Sequence, residues 1–101
     1  MSDMSHKDFW VKILERLNPT IKRAHFLTWF QSTTVLNVEK GRVTIGVPTV
    51  FALNWISSKY EVKILQAASE LNSDVRKIDF DVCPRLSEDD NFEAVDVKAL
   101  F

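Results

Sequence analysis

Cysteine is nearly absent: Cys83 is the only one in 101 residues, and there are just two glycines, three prolines and two histidines. One thiol rules out an internal disulfide and cannot by itself build a zinc site. So little Gly and Pro beside 46% apolar residues excludes collagen-like and low-complexity chains and describes a globular protein. Long apolar runs are missing as well. The longest, Val50 to Leu53, falls far short of the roughly 20 residues that cross a bilayer. The N-terminal stretch has neither the apolar core nor the small-residue cleavage site of a signal peptide, so the expected compartment is the cytoplasm, with no membrane partner. The length allows one domain with one modest core.

Excess charge of one sign is also lacking. The net charge is −1, but it is unevenly spread. Glu88, Asp89, Asp90, Glu93 and Asp96 face only Arg85 and Lys98 in residues 84–101, whereas residues 1–83 carry 11 basic and 9 acidic side chains. A body this near neutrality is a poor trap for duplex DNA, whose binding rests on several phosphate contacts.

What is present is periodicity. Ser5-His6-Lys7-Asp8 has the form of a capping box. Phe9, Trp10, Ile13, Leu14 and Leu17 then occupy an arc of roughly 140° at helical spacing, which predicts an amphipathic helix from Lys7 to about Leu17. Pro19 ends it, and Asn18 or Thr20 can cap a second helix presenting Ile21, Ala24, Phe26, Leu27 and Phe30. Val35–Val38 and Val43–Val47 read as a hairpin turning at Gly41. Pro48 closes the second strand and Thr49 caps one long third helix through Leu53, Ile56, Tyr60, Ile64 and Leu71. Ile78, Phe80 and Val82 alternate with Lys77, Asp79 and Asp81 in a third strand. The fold class is therefore α+β, order α-α-β-β-α-β, with helices packed on a three-stranded sheet. Residues 1–83 form the domain. Residues 84–101, acidic and without period, read as a disordered linker, and the apolar ending Val97–Phe101 suggests a chain that continues.

Reactive constellations are scarce. Gly41 to Gly46 has the spacing of a phosphate loop, but Val47-Pro48 follows where Lys-Ser/Thr is required, and the intervening residues read as strand. His6 and His25 fall on exposed helix positions, and Cys83 ends a strand with no orienting base, so no catalytic, metal or cofactor site is expected. Trp10 admits two readings: all five apolar residues of the first helix face the core, or Trp10 and Leu14 form an exposed edge suited to an interface. Trp29 and Trp55, embedded among apolar neighbours, read as core. Lys22, Arg23, Lys59 and Lys63 are candidates for a weak nucleic-acid contact, with Phe51 available for stacking, although a K-homology module would also need a Gly-x-x-Gly loop, which is missing.

Phe9-Trp10, Leu14-x-x-Leu17, Phe26-x-x-Trp29-Phe30, Val47-Pro48, Phe51-x-Leu53-x-Trp55-Ile56-x-x-Lys59-Tyr60 and Ile78-x-Phe80-x-Val82, in this order, resemble the N-terminal domain of the bacterial replication initiator DnaA. The resemblance spans about Phe9 to Val82. It implies a K-homology-like fold and a non-enzymatic hub of chromosomal replication initiation, which self-associates, helps recruit the replicative helicase at the origin and binds regulator proteins. By position, Trp10 matches the self-association tryptophan, with Leu14 beside it. Phe51 matches an aromatic linked to helicase contact. His25 occupies a partner-binding position that is acidic in better-known relatives. Thr49 and Val50 stand where those relatives have Asn and Arg, which weakens any single-stranded DNA contact. The expected partners are a second copy, the replicative helicase and initiation regulators. The alternative is a weak single-stranded nucleic-acid-binding module.

Overall fold

The computed structural model describes residues 5–84 and 94–101. Helix α1 runs His6–Leu17, a 3-10 turn follows at Asn18–Thr20, and α2 spans Arg23–Trp29. Strands β1 (Thr34–Glu39) and β2 (Arg42–Val47) lead into α3 (Val50–Lys59), α4 (Glu61–Leu71), β3 (Lys77–Val82) and the short α5 (Val97–Leu100). The α+β class and the α-α-β-β-α-β order are those read from the sequence, with the third helix divided into α3 and α4.

Local chemistry sets the element ends. The Ser5 hydroxyl accepts the Asp8 N–H at 3.1 Å and starts α1. Thr49 does the same for α3, accepting from Ala52 N–H at 3.0 Å. Neither Asn18 nor Thr20 caps α2: the Thr20 hydroxyl donates back to the Leu17 carbonyl, and Lys22 holds the cap position without a side-chain bond. The expected long third helix breaks at Tyr60, whose φ of −122° and ψ of 1° leave the helical basin. That turn seats the Tyr60 ring against Phe30, centroids 5.5 Å apart.

The sheet order is β1-β2-β3, antiparallel between β1 and β2 and parallel between β2 and β3, with α3–α4 as the crossover. Lys40 and Gly41 make the two-residue hairpin loop, both at positive φ (52° and 80°), as a primed turn requires. Gly41 is doubly constrained, because a Cβ there would lie 2.7 Å from the Asp74 carbonyl. Across the sheet, β1 bulges between Val35 and Asn37, and the Leu36 side chain fills the space a Cβ on Gly46 would need. Val35, Val43, Ile45, Val47 and Ile78 face the helices and are buried.

Phe9, Trp10, Ile13, Leu14 and Leu17 of α1 all belong to this core, with Val11 partly buried beside it. Trp10 and Leu14, expected as an exposed edge under one reading, are fully buried. The physical reason is a polar partner for the indole: Trp10 Nε1 donates to the Thr33 hydroxyl at 2.8 Å, and that hydroxyl donates to the Phe30 carbonyl at 2.6 Å. A buried tryptophan normally needs such an acceptor. Around it, Phe30 lies 6.3 Å from Trp10 and stacks on Phe26 at 5.5 Å. Ala24, expected to point inward, is exposed.

The disordered-linker expectation for residues 84–101 fails at its end. Residues 85–93 lie outside the described residues, but Ala94–Phe101 returns to the body, with Val95 and Val97 fully buried. Counting charge over the whole stretch hid this, because four of its five acids precede Ala94 while the apolar residues cluster after it.

Candidate protein-interaction surface

Helices α2 and α3 each bury one flank and present another. On α3 and its C-cap, Ala52, Ile56 and Tyr60 are buried at steps of four. Phe51 and Trp55 precede Ala52 and Ile56 by one residue, about 100° around the helix, and so share a flank with Lys59. On α2 and its C-cap, Phe26 and Phe30 are buried, and His25 and Trp29 stand one residue before each. The two outer flanks meet. Trp29 and Trp55 stack with centroids 4.9 Å apart and an interplanar angle of 14°. The His25 ring meets Trp55 edge-on at 6.2 Å, and Lys59 Nζ sits 5.0 Å above the Trp55 ring.

This places Trp29 and Trp55 differently from the core positions expected of them. Both are half-buried and rest on the core from outside. Phe51 is 78% exposed and Val50 57%, the former one helical turn from Trp55. A cation over a Trp face is worth roughly 0.5–1 kcal/mol at an exposed site. The stack carries one unmet demand: Trp55 Nε1 is shielded from solvent and finds no acceptor among the described residues.

The electrostatics of this face are one-sided. Neither α2 nor α3 contains a carboxylate, while Lys22, Arg23 and Lys59 are exposed on or beside them. The four candidate nucleic-acid cations are not one patch. Lys59 lies over Trp55, Arg23 donates to the Phe101 carbonyl at 2.6 Å, and Lys63 lines a groove between α1 and α4 with Arg16 and Glu70. His25 and Phe51, the expected partner-binding residues, are both exposed; the His25 ring meets Trp55, and Phe51 stands one turn before Trp55 on the same flank of α3. The signal that would have found Trp29 and Trp55 is the offset of one residue from the buried fours.

The sheet face turned away from the helices holds a recess of about 560 Å³ lined by Glu39, Lys40, Arg42, Asp79 and Asp81 among others. Its charges are of both signs, and Arg42 pairs with Asp79 at 3.1 Å, so it offers no field for a charged ligand. Among the described residues no three His, Cys, Asp or Glu side chains gather as metal ligands, and no helix is long and apolar enough to cross a membrane.

The fold and this face define a class: a small α+β domain whose exposed signature is a cation-fringed aromatic surface on two packed helices. The chain belongs to the DnaA N-terminal domain family, whose model matches residues 7–70. It is similar to the chromosomal replication initiator protein DnaA of two Thermus thermophilus strains, each 32% identical over 97 residues. Those alignments cover 95% of this chain but 22% of each relative, so the chain spans about a fifth of their length.

Proposed function

We propose that this domain is the protein-interaction and self-assembly module of a chromosomal replication initiator, supporting initiator oligomerisation and helicase recruitment at the origin. The observation that carries the recruitment half is the Trp29–Trp55 stack flanked by His25, Lys59 and the exposed Phe51. Aromatic side chains at the centre of a patch dominate interface energetics, and large exposed apolar groups are what a docking partner covers. Replicative helicase and initiation regulators are the partners this reading assigns to the face. In the self-association half Trp10 and Leu14 are buried support beneath the surface rather than its contact residues.

The test is binding of the host's replicative helicase to the purified chain, with Phe51→Ala and His25→Ala compared with wild type. Phe51→Ala should weaken binding tenfold or more, as loss of a hot-spot aromatic of about 2 kcal/mol does. Unchanged affinity in both variants refutes the assignment of this face.

A second reading, weak binding of single-stranded nucleic acid, is favoured by the same exposed ring beside a lysine, since bases stack on aromatic side chains. Salt separates the two. Phosphate-driven binding weakens steeply between 50 and 200 mM salt on the order of magnitude expected for several contacts, whereas an apolar contact barely changes.

A further inference from the structure

Ala94–Phe101 lies back across α2 and the turn into β1. Val95 forms an antiparallel bridge with Thr33: the Ser32 N–H donates to the Val95 carbonyl at 3.0 Å, and the Val95 N–H donates to the Thr33 carbonyl at 2.8 Å. Asp96 accepts the Ala99 N–H at 3.2 Å and so caps α5, and it also accepts the Gln31 amide at 3.0 Å. The Gln31 side-chain oxygen in turn accepts the Lys98 N–H at 3.2 Å. Phe101 sets its ring edge-on to Phe26 at 5.3 Å. Two buried valines, one ring and a short main-chain bridge make a clasp whose seat lies on α2 and the edge of β1.

We propose that this clasp is exchangeable: residues 94–101 of one copy occupy the same seat on a second copy, so that the domain self-associates by swapping its C-terminal segment. The proposal rests on the self-association reading above and supplies its route. Seat and occupant are encoded in one chain, so the contacts that close the monomer are the ones that would join two. Exchange of an identical element is therefore a low-cost path to a dimer. The bridge is main-chain pairing added next to an edge strand, a docking mode that depends little on the rest of the partner. Closed monomer and exchanged dimer differ mainly in effective concentration, which for a short tether is about millimolar, so exchange grows as chains approach that concentration or are held side by side.

Two chains test this, both carrying Cys83→Ser, one with Gln31→Cys and the other with Asp96→Cys. They are mixed, mildly oxidised, digested and read by mass spectrometry for a 31–96 disulfide, alongside sedimentation of the unmodified protein. A 31–96 linkage can form in the mixture only between copies, and its yield should rise roughly in proportion to concentration up to about 1 mM. A chain carrying both cysteines should form the same linkage within itself when dilute, which confirms that the two positions can be bridged. Val97→Asp added to the Asp96→Cys chain should abolish the mixed linkage while circular dichroism shows the body still folded. A double-cysteine chain that closes within itself, with no 31–96 linkage in the mixture, overturns exchange. Self-association that persists without that linkage overturns only this route, and a chain that stays monomeric throughout overturns the self-association reading as well.

Discussion

Thr33→Val isolates the chemistry that keeps Trp10 inside. The substitution keeps the side-chain shape and deletes one hydroxyl, which in the folded protein accepts from Trp10 Nε1 and donates to the Phe30 carbonyl. Thr33 and Trp10 are both fully buried, so water cannot replace the lost partner. Leaving one buried donor unsatisfied costs about 1–3 kcal/mol. Adding the lost bond to Phe30, at about 1 kcal/mol, brings the expected destabilisation to roughly 2–4 kcal/mol. For a domain of this size each kcal/mol shifts Tm by about 4–8 °C, so Tm should fall by at least about 8 °C.

The decisive measurement is a double-mutant cycle with Trp10→Phe, followed by urea unfolding with circular dichroism as the probe. Trp10→Phe removes the donor and keeps an aromatic ring in place. In the double variant neither the orphaned indole N–H nor its acceptor remains, so its cost should be smaller than the sum of the singles by about 1 kcal/mol or more. Strict additivity, or a Tm shift for Thr33→Val under about 4 °C, would mean that the bond contributes less than about 1 kcal/mol and that packing is what holds Trp10.

Gly41→Ala should destabilise by more than the roughly 1 kcal/mol typical of a left-handed site, because the new methyl would meet the Asp74 carbonyl at 2.7 Å; chemical denaturation reads this directly. Arg16→Ala should change stability by less than about 1 kcal/mol despite the 2.8 Å contact with Glu70, since both side chains are largely solvated; a thermal melt at low and at high salt is the check. Trp55→Phe should be close to neutral, within about 1 kcal/mol, because it trades part of the stack on Trp29 for removal of an N–H that has no acceptor among the described residues; a loss of several kcal/mol would show that Trp55 is a core residue.

Helix and strand periodicity makes the element order legible, but it leaves Trp10 between core and surface and puts Trp29 and Trp55 deeper than they lie. Trp10 sits within an apolar arc whose edges look alike in one dimension. Which edge is covered depends on Thr33, 23 residues away, and on its contact with the returning Val95. Trp29 and Trp55 stand among apolar neighbours, yet the neighbours at steps of four, Phe26 with Phe30 and Ala52 with Ile56, take the interior and leave the tryptophans on the flank. Each indole alone would expose apolar surface, and each covers the other by stacking, a pairing between helices that no local window can reveal. The break at Tyr60 was hidden for the same reason: the residue suits a helix, and only its seat against Phe30 turns the chain. His25 is readable as an exposed helix position and Phe51 as a ring available for stacking, but only the α2–α3 packing sets the His25 ring against Trp55, one turn from Phe51. The same holds for the C-terminal segment, whose valines are unremarkable in an acidic stretch until Thr33 offers them an edge. Where a long-range polar partner or a second helix decides which flank is dry, sequence periodicity supplies the candidates and tertiary packing makes the choice.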